Sequence, residues 1–172
     1  MPIYALGDRI PEIDADAYVH PDATLIGSVV LGPQSSVWPN AVIRADDNVI
    51  SIGRGSSVQD GAVLHCTEVH PTVIGDCVTI GHLAHLEGCQ ILDRSLVGSG
   101  SVILHDAVVG PEALIGASAM VPAKMVVPAL AMALGVPARI RENALTEGAN
   151  SLNVESYIRR ASYYPSALRR VD

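Results

Sequence analysis

Histidine is the residue type in this chain that most favours site chemistry, because four of its six histidines lie within residues 59–89. They are His65, His70, His82 and His85. Imidazole is a common ligand of divalent metals and also exchanges protons near neutral pH. Taken singly, each of these histidines is more often a surface or hydrogen-bonded residue than a ligand. Their concentration in one segment makes a metal site the first hypothesis, and the fold must decide which side chains could meet.

The elements that would position these histidines are predicted by a six-residue repeat of branched apolar residues. This period fits neither a helical turn nor simple strand alternation, and it is typical of a β-helix. The residue after the branched position is often glycine, which would let the chain turn between short strands. The pattern therefore predicts a solenoid with a narrow aliphatic interior. Its regular part has branched residues at Ile74, Ile80, Leu86, Ile91, Val97, Ile103, Val109, Ile115 and Val121.

The repeat also predicts how the chain is divided. We expect residues 1–19 to be a lead-in and the repeat to begin near Ala23. The longer interval between Leu64 and Ile74 predicts a small inserted loop over residues 67–71. The repeat is expected to stop after Val121, and the proline-punctuated segment beyond it would return along the outside of the coils.

An amphipathic helix is predicted near the C-terminus, over residues 153–163. Leu152 and Ile158 lie there among polar residues, and Glu155 and Arg159 are four apart on one helical side. The predicted organisation is thus a β-helix with its lead-in over residues 1–126, followed by an extension over 127–172 whose helix packs on the solenoid.

Composition excludes several classes of partner. The formal net charge of −7 argues against nucleic acid and anionic membranes. The three cysteines, Cys66, Cys77 and Cys89, match neither a disulfide framework nor a Cys-x-x-Cys metal knuckle, which indicates reduced thiols. We find neither a secretion signal nor a bilayer-spanning segment in the sequence. The expectation is a soluble, cytoplasmic protein.

The period of the solenoid places the candidate ligands relative to one another. Three six-residue units make one coil, and stacked strands lie about 4.8 Å apart. His65 and Glu87 each follow a repeat position by one residue, so they should stack on one face. His82 follows Ile80 by two residues and should lie near a different corner. A metal held by His65 and Glu87 would therefore reach only the His82 of a neighbouring chain, which predicts a site between the subunits of a three-fold oligomer.

Five motifs occur in order along the chain, and they read RADDNVISIG, VQDGAVLH, IGH, EGC and GVPAR. Together they resemble motifs of the gamma-class carbonic anhydrases. The resemblance extends over roughly residues 10–165, and the combination is more specific than the repeat, which acyltransferases share. It implies an all-β fold, a left-handed parallel β-helix with a C-terminal α-helix. It also implies a homotrimer with zinc, or in some members iron or cobalt, held by three histidines at each subunit interface. The matching segments are residues 44–53, 58–65, 80–82, 87–89 and 135–139.

The resemblance assigns the metal ligands position by position. His65 and His82 match two of the family's ligand histidines, whereas the position of the third is occupied by Glu87. Two histidines and one carboxylate are a known zinc set. A carboxylate ligand would make the bound water less acidic. His85 is two residues from the family position, and we expect this shift to change the direction of its side chain, so it is not assigned as a ligand.

Five further residues receive roles from the same resemblance. Gln59 would orient the attacking hydroxide, Asp60 would organise the neighbouring network, and Tyr157 would line the site from the C-terminal helix. Arg44 and Asp46 would form an ion pair across the trimer interface, with Ala45 in place of the family's glycine. The archetypal members also carry a longer acidic loop with a proton-shuttling glutamate, for which this chain has no room.

Two other functions remain open. Hexapeptide-repeat acyltransferases share the repeat, but they usually depend on a long excursion loop that carries a catalytic histidine. A non-catalytic trimeric scaffold could keep the fold with a degraded site. Arg44 and Asp46 would then be only a structural ion pair. Cys66 and Cys89 are interpreted as buried small hydrophobes, and His70 and His105 as solvated turn residues.

Overall fold

The computed structural model describes residues 2–172, and it confirms the predicted fold class. The described chain winds into seven coils of a left-handed parallel β-helix. Each coil contributes one strand segment to each of three flat faces. A C-terminal helix, α1, follows. None of the helices in residues 2–172 has the length and apolar character needed to cross a lipid bilayer.

Faces 1 and 2 share two long strands, β4 (Thr24–Leu31) and β6 (Val42–Ile52), which bend from one face to the other. The first halves of these strands pair on face 1 and their second halves on face 2. Face 1 also contains β1 (Ile3–Tyr4), β8 (Val63–His65), β11 (His85–Glu87), β14 (Val102–Ile103) and β17 (Met120–Val121). Face 2 also contains β2 (Glu12–Ile13), β9 (Thr72–Ile74), β12 (Gln90–Ile91), β15 (Val108–Val109) and β18 (Val126–Val127).

Face 3 is a separate sheet, and it carries the C-terminal helix. Helix α1 (Ser151–Ala167) contacts the first three strands of this face. The parallel strands of face 3 are β3 (Tyr18–Val19), β5 (Ser36–Val37), β7 (Ser57–Val58), β10 (Thr79–Ile80), β13 (Leu96–Val97), β16 (Leu114–Ile115) and β19 (Met132–Leu134). The last strand, β20 (Arg139–Arg141), pairs antiparallel with β19.

The interior of the coils is filled by the repeat positions predicted from the sequence. Ile80, Leu86, Ile91 and Ile103 are all fully buried. Each coil hydrogen-bonds to the next, as where His85 N donates to Ser101 O at 2.8 Å. The glycines after the repeat positions allow this close stacking, because a Cβ on Gly98 would lie 2.6 Å from Ala117 N in the next coil. The branched interior and the bare corners together explain why the chain keeps a six-residue period.

The N-terminal residues differ from the prediction, because the lead-in expected over residues 1–19 is already the first coil. Its strands β1, β2 and β3 pair with the strands of the second coil. Ile3 and Ile13 both pack against the core. They are ten residues apart, so the six-residue period is hidden at this end of the sequence.

The repeat also continues beyond Val121, so the predicted end there is wrong. Strands β18 and β19 extend the stack on faces 2 and 3. Val127 and Ala133 are fully buried and keep the six-residue spacing from Val121, but an alanine does not signal a branched position. The domain boundary predicted at residue 126 therefore falls inside β18.

The inserted loop and the C-terminal helix both lie where they were predicted. Residues 66–71 connect β8 to β9, and the loop is closed by a hydrogen bond from Thr67 N to His70 O of 3.0 Å. Helix α1 is longer than the predicted 153–163 at both ends. Its last turns are held because Tyr164 packs edge-on against Trp38, with ring centroids 5.0 Å apart. This tertiary contact is not visible as a helical sequence pattern.

Replacing one interior branched residue should test how far stability depends on the filled core. Ile103 is fully buried in the sixth coil, so we expect Ile103→Ala to lower the free energy of unfolding by about 2–5 kcal/mol. Val69→Ala is the control, because that side chain is 75% exposed and should change stability by less than about 0.5 kcal/mol. Equal effects of the two substitutions in denaturant titrations would contradict this account of the core.

Candidate metal centre

Arg44, His65 and Glu87 form a column on face 1. Arg44 pairs with His65, and His65 pairs with Glu87, in successive parallel strands. Their neighbours Leu64 and Leu86 point into the core, so these three side chains point outward. The stacking of His65 with Glu87 agrees with the spacing argument from the sequence.

One nitrogen of His65 is held by a carboxylate. His65 Nε2 lies 3.0 Å from Asp46 Oδ1, and the Arg44 guanidinium donates a hydrogen bond to the other oxygen of Asp46. Desolvation opposes ionisation of Asp46. Hydrogen bonds from its own backbone N–H and from His65, together with the charge of Arg44, nevertheless hold the pKa of Asp46 below its ordinary value. An ionised Asp46 favours the proton on Nε2 and leaves Nδ1 of His65 free to act as a donor atom to a metal.

Arg44 and Asp46 pair with each other within one chain, and their expected pairing across a subunit interface stays a prediction. They lie two residues apart in β6, so both side chains project from the same side of the strand. Arg44 is more exposed than Asp46, with 46% and 25% of their side chains accessible. This pair therefore orients His65 from the neighbouring coil before any assembly is considered.

The side chain of His85 projects in the same direction as that of Glu87, contrary to our expectation. It lies two residues before Glu87 in β11, and a strand repeats its side-chain direction every two residues, so both project outward. Glu87 Oε2 is 3.6 Å from His85 Nε2 and 4.0 Å from His65 Nδ1. The inference that a two-residue shift redirects the side chain was wrong, and His85 joins the face that carries His65.

Thr72 ties together the strands that carry His65 and Glu87, a role that the sequence analysis did not predict. Its hydroxyl donates a hydrogen bond to His65 O and accepts one from Gly88 N at 2.8 Å. Gly88 N also approaches His65 O at 3.3 Å. Thr72 is fully buried, so this bridge fixes the two coils at the end of face 1.

A second group of candidate residues lies at the corner between faces 3 and 1. His82 Nδ1 is 3.0 Å from Asp60 Oδ2, and Tyr157 OH is 3.4 Å from His82 Nε2. Asp60 occupies the same corner one coil before His82, and the backbone N–H of Leu83 donates to Asp60 O. Gln59 is buried beside Asp60 after β7. The corner therefore assembles three residues that the sequence had assigned to the site, with Gln59 next to them.

Tyr157 is neutral at physiological pH in this environment. Burial is the main cause that raises its pKa, and the negative charge of Asp60 adds to it. Its ring packs edge-on against Trp38 at a centroid distance of 5.3 Å, and Trp38 Nε1 donates to Ser36 Oγ at 2.9 Å. Trp38 thus fixes where helix α1 presents Tyr157. Sequence reasoning did not find this contact, although a single tryptophan in a chain so poor in aromatic residues was a usable signal.

The two groups occupy different places on one chain. We call Arg44, Asp46, His65, His85 and Glu87 the strand cluster, and Asp60, His82 and Tyr157 the corner cluster. Within residues 2–172 no three His, Cys, Asp or Glu side chains of a single chain are grouped so that they could hold a metal ion.

The donor chemistry nevertheless fits a divalent cation. In each cluster one histidine has one nitrogen against a carboxylate, and the second nitrogen faces away from that carboxylate, towards Glu87 for His65 and towards the Tyr157 hydroxyl for His82. Metal-binding histidines typically show this arrangement, because the carboxylate fixes the tautomer. Glu87 adds a carboxylate oxygen beside His65 Nδ1. Two imidazoles and one carboxylate match the ligands that zinc accepts, and imidazole also suits iron.

The remaining thiols and histidines lie outside both clusters. Cys66 and Cys89 are fully buried, and burial raises the pKa of Cys89 to about 12, so it stays a neutral thiol. This fits their interpretation as small hydrophobes. His70 and His105 stack on each other at the corner between faces 1 and 2, with ring centroids 5.8 Å apart.

Comparisons with known proteins indicate the family to which this chain belongs. No protein-family model matches the chain. A Methanocaldococcus jannaschii protein named "Probable carbonic anhydrase" is 47% identical over 147 residues, which cover 78% of this chain and 92% of that protein. A solved Bacillus cereus structure, provisionally named an acetyltransferase, superposes with a TM-score of 0.92 at 35% identity and covers 96% of this chain and 98% of that one.

Plant relatives supply the class. The mitochondrial gamma carbonic anhydrase 1 of Arabidopsis thaliana is 43% identical over 108 residues, which cover 59% of this chain and 39% of that protein. The chain therefore spans about two fifths of the length of the plant relatives that it matches. The seven-coil β-helix and the 47% identity to the Methanocaldococcus jannaschii protein over 78% of this chain lead to one conclusion. This chain belongs to the gamma-class carbonic anhydrase-like family of hexapeptide-repeat β-helix proteins.

Proposed function

We propose that the chain is a gamma-carbonic-anhydrase-like metalloprotein that holds a divalent cation between two copies of itself. The observation that carries this proposal is the pair of carboxylate-anchored histidines, His65 and His82, each with a second ring nitrogen that the carboxylate does not occupy. They lie on separate parts of one chain, so a shared cation needs a second copy. The cation is zinc, with iron or cobalt as the other candidates that the family resemblance offers.

The proposed assembly is a homotrimer in which His65 and Glu87 of one copy face His82 of the next. A solenoid with three flat faces offers equivalent flanks to a three-fold axis. Val63, which neighbours His65 on face 1, is 38% exposed in the single chain, and Leu83 beside His82 is 71% exposed. Apolar side chains that flank both half-sites support their burial in such an interface.

The proposed reaction is the reversible hydration of carbon dioxide. The cation would contribute Lewis acidity, which lowers the pKa of a water molecule towards neutrality. Asp46 and Asp60 hold their histidines in one tautomer, and Tyr157 offers a neutral hydroxyl beside His82. Gln59, by its family role, would orient the attacking oxygen. The chain's own residues thus supply positioning and hydrogen bonds.

Glu87 is the feature that should weaken this reaction. As a ligand it would bring a negative charge where the family has a neutral imidazole. That charge lessens the Lewis acidity available to the water and raises its pKa. We therefore propose little or no hydration of carbon dioxide at neutral pH in the natural chain.

Three unpaired cysteines in the described chain support a reducing, cytoplasmic location for the protein.

Acyl transfer is the second candidate, because the Bacillus cereus structure named above shares both fold and 35% identity. The longest excursion near the histidines is only residues 66–71, which turn back on themselves. A coenzyme A thioester assay tests this alternative directly. A scaffold without catalysis is separated from both by metal analysis of protein purified without added metal.

Replacing Glu87 with an isosteric amide should test its role as a ligand. We expect Glu87→Gln to bind zinc about tenfold more weakly or worse, because a neutral amide is a poor donor to such a cation. The measurement is metal content by mass spectrometry after dialysis against a weak chelator. Glu142→Gln is the control, because Glu142 is exposed and follows β20 at the last coil, whereas both clusters lie on earlier coils. Unaltered metal content in Glu87→Gln would show that Glu87 is not a ligand.

Glu87→His should restore the family's set of three histidines and gain activity. Removing one negative charge lowers the pKa of the water, and a fall of about one unit would raise the fraction of reactive hydroxide about tenfold at neutral pH. Stopped-flow hydration of carbon dioxide with a pH indicator measures the gain. Strong activity in the natural chain that Glu87→His leaves unchanged would refute this explanation of the substitution.

Assembly should depend on Arg44. We propose that Arg44 also pairs with Asp46 of a neighbouring copy, as the family resemblance implies, so Arg44→Ala should make the trimer dissociate at concentrations about tenfold higher than for the natural chain. Sedimentation equilibrium across the micromolar range measures this, with exposed Arg159→Ala on α1 as the control. If the natural chain sediments as a monomer, the shared-site model is refuted. If the Arg44→Ala trimer dissociates at the same concentration as the natural one, the ion pair of Arg44 and Asp46 does not contribute to the interface.

A further inference from the structure

Both ring nitrogens of His82 face a partner within the single chain. His82 Nδ1 lies 3.0 Å from Asp60 Oδ2, and His82 Nε2 lies 3.4 Å from the hydroxyl oxygen of Tyr157. The carboxylate of Asp60 favours the proton on Nδ1, so Nε2 carries a lone pair and can only accept a hydrogen bond. The hydroxyl of Tyr157 is therefore the donor, and it is directed at the same lone pair that a metal needs.

A cation and the Tyr157 hydroxyl do not fit on this nitrogen together. Zinc binds an imidazole nitrogen at about 2.0–2.1 Å. A cation on the line from His82 Nε2 to the hydroxyl would therefore lie only about 1.3 Å from the Tyr157 oxygen, which is far shorter than a zinc–oxygen bond. The hydroxyl must move aside before His82 can bind a metal.

The ring of Tyr157 is held from two sides, so this movement is resisted by packing. The ring lies edge-on against Trp38 at a centroid distance of 5.3 Å, and the guanidinium carbon of Arg160 lies 5.1 Å from the centroid of the Tyr157 ring. Trp38 is only 3% exposed, so it cannot give way easily. A shift of the hydroxyl therefore changes the contact between Tyr157 and Trp38.

Anchoring of helix α1 is the simpler explanation of the contact with His82, but it accounts for less. Val154 and Ala161 bury one side of α1, and Tyr164 also packs against Trp38, so the helix is held without the Tyr157 hydroxyl. The separation of 3.4 Å is longer than an ordinary hydrogen bond from a hydroxyl. Such a contact adds little to stability, and a cation can displace it at small cost.

We propose that the Tyr157 hydroxyl is a removable cap on His82 Nε2, which the cation must displace to complete the shared site. The cap keeps this half of the site closed in a copy that holds no metal. Tyr157 thereby controls how readily the metal is taken up, besides lining the site. This inference rests on the shared metal site of the proposed function, and it adds a control on the filling of that site.

The test measures zinc affinity and the environment of Trp38 together. Chelator-stripped natural chain, Tyr157→Phe and Tyr163→Phe are titrated with Zn²⁺ against a competing chelator, at a protein concentration where all three sediment as the same assembly. Tyr157→Phe keeps the ring that packs on Trp38 and removes only the hydroxyl. Tyr163→Phe is the matched control, because Tyr163 lies on the same helix and is 64% exposed. Trp38 is the single tryptophan of the chain, so tryptophan fluorescence reports a displacement of the Tyr157 ring.

We expect Tyr157→Phe to bind zinc roughly 2- to 5-fold more tightly than the natural chain, because a weak hydrogen bond no longer competes for His82 Nε2. Zinc should change the Trp38 fluorescence of the natural chain and of Tyr163→Phe, and this change should be largely lost in Tyr157→Phe. If the natural chain binds zinc and Tyr157→Phe binds it no more tightly, or if zinc leaves the Trp38 fluorescence of the natural chain unchanged, the cap is overturned and the shared site stands. If neither the natural chain nor Tyr157→Phe binds zinc, the shared site fails and the cap fails with it.

Discussion

The register between successive coils is the constraint on which the rest of this molecule depends. Each coil hydrogen-bonds to the next through parallel strands, and the branched residue of one coil sits above the branched residue of the coil before it. Outward side chains are therefore also aligned in columns, and successive side chains within a column lie about 4.8 Å apart. Arg44, His65 and Glu87 lie together for this reason alone, without any loop that gathers them. A slip of one residue in any strand would move a site residue into the core.

This constraint also explains why the candidate site is divided. A coil presents its flat faces and its corners in different directions, so His82 at a corner and His65 on a face cannot be brought together by bending the chain. The fold instead prepares each half separately. Asp46 fixes the imidazole of one half, Asp60 fixes that of the other, and the packing of helix α1 on face 3 delivers Tyr157 to the second half. Association of copies is then the step that would complete the site.

The sequence predicted what is periodic and missed what is tertiary. The six-residue spacing was enough for the β-helix and for the stacking of His65 with Glu87, because both follow from register. The six-residue spacing did not predict the two ends of the stack. Ten residues separate the core positions Ile3 and Ile13 in the first coil, and the buried Ala133 occupies the repeat position in the last. The direction of His85 was misjudged because the two-residue period of a strand was not applied to residues 85–87. The packing of Trp38 against Tyr157 joins segments far apart in sequence, so no spacing could reveal it.

The antiparallel strand β20 gives the stack a last edge that differs from the edges of the parallel coils. Every parallel coil exposes backbone groups able to template another coil, so an uncovered last coil would invite end-to-end growth into fibres. Strand β20 reverses direction against β19, and Ala138 N donates to Met120 O at 2.7 Å, which occupies part of the edge of face 1 as well. Strand β20 thus covers part of the last edge of the repeat and leaves the flanks of the coils as the more accessible surfaces.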